Sequence, residues 1–176
     1  IHLVDNAISP AVLKALIGKP PGSPWYGFAR MTRELTDPDF CVQLKGSGCV
    51  MLKIGVESGD QGVLDAMGKG IDIGDVSKGL KSLSAAGIAT YVYLLFGTPW
   101  ENGQSAAETL DFAVEHASCI DFLNLAVFNL PHYSPDADGV EQKAFYGGDL
   151  SFYTDFVHPA GWDRKKVRHF LDRVFT

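Results

Sequence analysis

Three cysteines in 176 residues, Cys41, Cys49 and Cys119, are too few and too widely spaced for a disulfide framework or a short metal-ligand motif. They read as core-type thiols; a reactive or cluster-ligating role lacks a second cysteine or histidine close by. Positive charge is also scarce. Lys and Arg total 15 against 21 Asp and Glu, for a net charge of -6 and a pI near 5.2. That excludes a nonspecific nucleic-acid surface, which needs clustered Lys and Arg, while a specific RNA or DNA substrate stays open. No apolar run approaches the ~20 residues of a membrane span. The start, Ile1-His2-Leu3, has neither a basic n-region nor a small-residue cleavage site. The expectation is a soluble, cytoplasmic protein with no membrane partner. A leading Met and any cap or turn before the first apolar run are missing too, which reads as a fragment of a longer polypeptide.

What is present is a single-domain composition, 46% hydrophobic and 20% charged, with enough chain for a substantial core. The central stretch is Val50-Met51-Leu52-Lys53-Ile54-Gly55-Val56-Glu57-Ser58-Gly59, an apolar run that ends abruptly in a carboxylate, a hydroxyl and a glycine. It reads as a buried strand delivering polar groups. Three other runs repeat the pattern: Ile1–Val4 ends on Asp5-Asn6, Trp25–Phe28 on Arg30, and Tyr91–Phe96 on Gly97-Thr98-Pro99. In a parallel sheet these polar tips converge on one edge, where α/β proteins place their sites.

The intervening segments read as helices. Ser9-Pro10 and Asp37-Pro38 each pair an N-cap with a proline at the first helical position. Leu13, Leu16 and Ile17 follow the first cap; Phe40, Cys41 and Leu44 follow the second. Val63, Leu64 and Met67 mark a short helix, and Asp72–Ala86 a longer one with Val76, Leu80 and Leu83 spaced for one face. Residues 104–117 form another, with Ala106, Leu110, Ala113, Val114 and Ala117 expected inside, before a fifth strand at Phe122–Phe128. Gly48 and Gly87 each join a helix directly to a strand, as repeated βα units with short return loops require. Residues 131–162 show no period and read as an irregular surface excursion. A last helix over Asp163–Thr176 presents Val167, Phe170, Leu171 and Val174 to the core. The expected fold is α/β, a parallel sheet curling into a partial or whole (βα) barrel.

Leu52–Asp60, followed by Val63-Leu64-Asp65-Ala66-Met67-Gly68-Lys69-Gly70, resembles the fourth-strand region of radical S-adenosylmethionine (SAM) enzymes, in the branch often fused to a cobalamin-binding domain. Ala86-Gly87-Ile88 with Tyr93–Glu101 is similar to the fifth strand and G-x-P-x-E loop of those enzymes, and Ile1–Ser9 resembles the second strand. The resemblance covers residues 1–130, read as a partial radical SAM barrel, strands two to six of six. Residues 131–176 are the excursion and the terminal helix of the same domain. The CxxxCxxC signature is absent and Asp5-Asn6 stands where a Gly-Gly-Glu motif is expected, so the cluster loop is expected upstream of Ile1.

The resemblance implies SAM and a 4Fe-4S cluster as cofactors of the full-length protein, with cobalamin as an optional third and none on this fragment. In such enzymes a reduced cluster passes an electron to the sulfonium, and the resulting 5′-deoxyadenosyl radical takes a substrate hydrogen. By the same resemblance Asp5 and Asn6 meet the methionyl amino group, Glu57 and Ser58 the ribose hydroxyls or the amino-acid part, and Arg30 the carboxylate. Backbone around Leu95 and Gly97 holds the adenine.

Each assignment has a plainer alternative. Glu57 can cap the helix after Gly59-Asp60, Arg30 can be a surface pair partner, and Gly97-Thr98-Pro99-Trp100 can be a tight turn with Glu101 supporting the next helix. Asp5-Asn6 is also ordinary turn chemistry. His132 and Tyr133 read as solvated loop residues, and Trp25 and Trp100 as packing. No catalytic residue and no metal ligand is assigned.

The resulting expectation is an oxidoreductase fragment acting on an unidentified substrate, with self-association through an exposed sheet edge. The rival is a noncatalytic βα-repeat domain binding a small molecule or protein partner. An aldolase-like complete barrel needs eight βα units, and the chain supplies five.

Overall fold

The computed structural model describes residues 1–144 and 152–175. Five parallel strands form one sheet in the sequential order β1 (His2–Ile8), β2 (Trp25–Ala29), β3 (Cys49–Glu57), β4 (Ala89–Phe96) and β5 (Phe122–Val127). The helices between them are α1 (Pro10–Gly18), α2 (Pro38–Gly46), α3 (Gln61–Ala66), α4 (Ile73–Ala85) and α5 (Gly103–Glu115). A monotonic strand order joined by right-handed crossovers places every helix on the same face of the sheet. The other face is left as the inside of an open, partial barrel.

Burial follows that division. Leu52, Ile54 and Val56 of β3 are fully buried against the helix layer, where Leu13, Leu44 and Leu80 share their core. Each such side chain contributes roughly 1.5–3 kcal/mol of transfer free energy. The alternate residues Met51, Lys53, Gly55 and Glu57 are only half-buried on the inner face. On β4 the same alternation buries Val92, Leu94 and Phe96 and leaves Tyr91, Tyr93 and Leu95 half-buried.

The capping signals hold. Ser9 accepts from the Val12 N–H at 3.3 Å and Asp37 from the Asp39 N–H at 3.0 Å, each with its proline inside the first turn. Several boundaries differ from the sequence reading. β1 runs on to Ile8, so Asp5 and Asn6 lie within it, at an irregularity in pairing with β2 between Leu3 and Ile8. In α5 the inner side carries Ala106, Thr109, Phe112 and Ala113, whereas Val114 is 66% exposed. Hydrophobicity alone misplaced Val114, because two small polar residues, Ser105 and Thr109, occupy the close contact instead.

The stretch read as an irregular excursion carries a small antiparallel sheet of β6 (Leu130–Pro131), β7 (Gln142–Lys143) and β8 (Tyr153–Phe156), in the order β6-β8-β7. Its strands are too short to show a period. Residues 145–151 and Thr176 lie outside the described residues. The last helix, α6 (Arg164–Phe170), buries Val167 and Phe170, then loosens into a π-type turn over Leu171–Phe175 that leaves Val174 54% exposed. No helix among the described residues is long and apolar enough to cross a membrane.

Candidate functional site

At the C-terminal edge of β3 the pairing with β4 slips by one residue between Gly55 and Glu57, and Glu57 takes the left-handed conformation with φ 70°. That conformation is costly for a residue with a Cβ, by about 1–3 kcal/mol. It folds the carboxylate back over its own strand: a Cβ placed on Gly55 would lie 2.7 Å from Glu57 Oε1. The glycine is needed here because the carboxylate occupies the space of its missing side chain.

Lys69 holds that carboxylate. Its Nζ donates to Glu57 Oε1 at 2.8 Å, with the two side chains 28% and 19% exposed. Lys69 reaches back because it sits between Gly68 and Gly70, both with positive φ. The Arg30 guanidinium at the end of β2 donates to the Lys69 carbonyl oxygen, so the ends of β2 and β3 are tied to one loop. Around this group lies a cavity of about 400 Å³ whose lining includes Asn6, Phe28, Arg30, Gly55, Glu57, Lys69 and Tyr93. It offers a carboxylate, an ammonium, a guanidinium and an amide beside two aromatic rings.

Three sequence-predicted residues, Asn6, Arg30 and Glu57, thus meet in one cavity. Asp5 lines an adjoining hollow of about 270 Å³ with His2, Val4, Asn6 and Phe28. Ser58 turns the other way. It is fully buried, its Oγ lies 3.2 Å from Thr109 Oγ1 and accepts from the Asp60 N–H, which fastens the strand exit to α5. Leu95 is half-buried on the inner face and does not line the cavity; Leu94 does. Gly97 has φ 81°, donates its N–H to Glu101 Oε2 at 2.5 Å, and is approached by Val167, whose Cγ2 would lie 3.2 Å from an added Cβ.

The helix-cap alternative for Glu57 is overturned. Asp60 caps α3, accepting from the Gly62 and Val63 N–H groups at 2.7 and 3.3 Å. Arg30 makes no ion pair among the described residues. Trp25 is fully buried, as a packing residue should be, but Trp100 is 37% exposed at the tip of its turn.

Lys69 was missed although it lies inside the quoted Gly68-Lys69-Gly70 segment; a lysine between two glycines after a short helix was the available signal. Trp162 and His158 had no signal. Trp162 Nε1 donates to Glu101 Oε2 at 2.8 Å, and His158 Nε2 lies 2.8 Å from the Thr98 carbonyl oxygen. His158 Nδ1 accepts from the Ala160 and Trp162 N–H groups, so the proton sits on Nε2 and is donated to Thr98. Glu101 is 1% exposed, and burial pushes its carboxyl up to about 7 against the lowering effect of the Gly97 and Trp162 donors.

The three thiols stay apart. Burial raises Cys41 to about 11 and Cys49 to about 12, and Cys119 lies near the end of α5. Among the described residues no group of three or more His, Cys, Asp or Glu is arranged to hold a metal.

No protein-family model matches the chain, and no curated protein matches it either. Solved structures do. The radical SAM methyltransferase TsrM from Kitasatospora setae, with cobalamin and a [4Fe-4S] cluster bound, aligns with a TM-score of 0.64 at 18% identity over 84% of this chain and 33% of that one. The cobalamin-dependent SAM radical enzyme OxsB with aqua-cobalamin aligns with a TM-score of 0.51 at 20% identity, over 63% of this chain and 19% of that one. With SAM also bound, OxsB gives 0.50 and 22% over the same shares. The chain therefore has the fold of a partial barrel of the radical SAM type. It spans between 19% and 33% of the length of these structures.

Proposed function

We propose that residues 1–176 are part of a radical SAM enzyme and that the cavity between β1, β2 and β3 receives the amino-acid end of SAM. The observation that carries this reading is the Glu57, Lys69 and Arg30 arrangement at the strand C-termini of a radical SAM-type fold. SAM presents an ammonium and a carboxylate on one carbon. A site for it needs fixed charges of both signs within one small volume, as this cavity has.

In this reading Glu57 and Asn6 accept from the ammonium, with Asp5 adding negative charge from the adjoining hollow. Arg30 and Lys69 bind the carboxylate. Lys69 then exchanges part of its bond to Glu57 for the ligand, and Gly55 keeps the floor open for the carboxylate. Backbone near Leu95 and Gly97 borders the adenine, and Ser58 positions Glu57 by fixing the loop to Thr109 rather than by touching SAM. Bound SAM supplies the radical chemistry of this enzyme class.

A 4Fe-4S cluster does not fit the residues present, since the cysteines are dispersed and two are buried. In the proposal its thiolates come from outside this chain, and the substrate and any use of cobalamin belong to the whole protein. The test is anaerobic reconstitution of the full-length protein containing these residues. Iron, sulfide and 5′-deoxyadenosine are the measured quantities. A bound cluster with SAM-derived 5′-deoxyadenosine is expected; a full-length protein that binds neither iron nor SAM leaves the noncatalytic binding domain in its place.

A further inference from the structure

The inner face of the sheet carries more aromatic surface than a SAM pocket uses. Strand register stacks it in rows. His2, Tyr26 and Met51 are paired neighbours in one row; Phe28, Lys53, Tyr91 and Phe122 form the next. The rings are in contact: His2 and Tyr26 stack at 4.5 Å, Tyr91 and Tyr93 at 4.8 Å, and Tyr91 meets Phe122 at 5.7 Å. Phe28 and Tyr93, on either side of β3, come within 5.2 Å of each other.

Lys53 stands in the middle of this surface. Lys53 Nζ lies 5.4 Å from the Tyr26 centroid and 5.0 Å from the Phe28 centroid. None of the three ion pairs among the described residues includes it, and the nearest acidic residue on its own strand, Glu57, is held by Lys69. A lysine against two rings is tolerable while water reaches it. Any occupant that excludes water from this face must neutralise the ammonium or leave a buried charge unpaired. Flat faces demand a flat partner, and the cation demands an anion.

We infer that this face binds a substrate with a planar aromatic ring and an anionic group, the ring lying against Phe28, Tyr91 and Tyr93 and the anion on Lys53. The inference deepens the preceding reading and rests on it for placing this surface inside a barrel, beside the SAM cavity with which it shares Phe28 and Tyr93. Stacking supplies the affinity, and the lysine selects for charge.

The test titrates three probes into the purified chain by calorimetry: naphthalene-2-carboxylate, naphthalene-2-carboxamide and cyclohexanecarboxylate. The first is planar and anionic, the second planar and neutral, the third anionic and puckered. Naphthalene-2-carboxylate should bind at least tenfold more tightly than either of the others. Lys53→Met should abolish its advantage over the carboxamide while leaving the carboxamide unchanged, and Lys53→Arg should restore it. Phe122→Leu, at a half-exposed position that a folded chain tolerates, should weaken both naphthalene probes severalfold. Equal binding of all three probes, or a charge preference that survives Lys53→Met, overturns the inference. So does sedimentation showing that two copies bury these rings against each other in a dimer that Phe122→Arg dissolves. SAM affinity of the full-length protein separates the two readings: loss of SAM binding with probe selectivity intact rejects the radical SAM proposal alone, whereas intact SAM cleavage without selectivity rejects this one alone.

Discussion

Glu57 and Glu101 stand at the C-terminal ends of neighbouring parallel strands, one closing β3 and the other in the loop after β4, yet their surroundings are opposite. Glu57 keeps access to a cavity, is turned by a strained backbone, and is answered by the ammonium of Lys69. Glu101 is sealed from water, answered among the described residues by the neutral donors Gly97 N–H and Trp162 Nε1–H, and driven toward protonation near neutral pH. The same residue type at equivalent places faces an open cavity in one case and ties the C-terminal segment to the sheet in the other. What separates them is whether a cation or a covering segment arrives.

The largest expected effect concerns Glu101. Its folded value of about 7 lies above the usual 4.5, so between those values the folded chain holds more protons than the unfolded one. The stabilisation is therefore full below pH 4.5 and is lost as pH rises to 7, by about 3 kcal/mol. Glu101→Gln keeps an oxygen for both donors and removes the ionisation. Denaturant melts should show the variant more stable than the parent at pH 8 by up to about 3 kcal/mol and equal to it near pH 4.5. Parallel pH profiles would sink the account of Glu101.

Two glycines beside Glu57 sharpen the contrast between a rigid and a yielding neighbour. A Cβ on Gly59 would meet Phe112 Cβ, the Glu108 carbonyl oxygen and Thr109 Cα at 2.7–2.8 Å, atoms that cannot give way. Gly59→Ala should cost about 2–3 kcal/mol by prising β3 from α5, measured as a lowered denaturation midpoint.

Glu57→Gln should weaken SAM binding by the full-length protein about tenfold, since shape is kept and charge removed, while stability moves by less than about 1 kcal/mol because the ion pair is partly solvated. Unchanged SAM affinity would remove Glu57 from the site. Smallest in stability is Gly55→Ala, where only the end of the Glu57 side chain lies in the way. Stability should change by about 0.5 kcal/mol or less, with SAM affinity reduced as in Glu57→Gln because the carboxylate is displaced. A variant that loses stability but keeps SAM affinity would break the proposed link between the two residues.

Much of this was legible in the chain itself. Ser9-Pro10, Asp37-Pro38 and the strand runs announced their elements because capping and alternation are decided within a turn or a strand of the residue concerned. The polar ends of β2 and β3 were readable as a converging edge because parallel order leaves them no other arrangement. Ser58 and Gly97 looked as promising as Glu57, since adjacency in sequence does not reveal which side of a slipped strand end a side chain takes.

By itself the sequence determined the βα alternation, the parallel sheet and the placement of Arg30 and Glu57 at one edge, all consequences of local pattern and chain direction. Tertiary structure alone decided that Lys69 answers Glu57, that Trp162 closes over Glu101 from 61 positions away, and that the rings of Phe28 and Tyr93 meet across β3. The physical reason is range. Propensity and periodicity act over a few residues, whereas burial, pKa and charge pairing depend on which distant segment packing brings within a few ångströms.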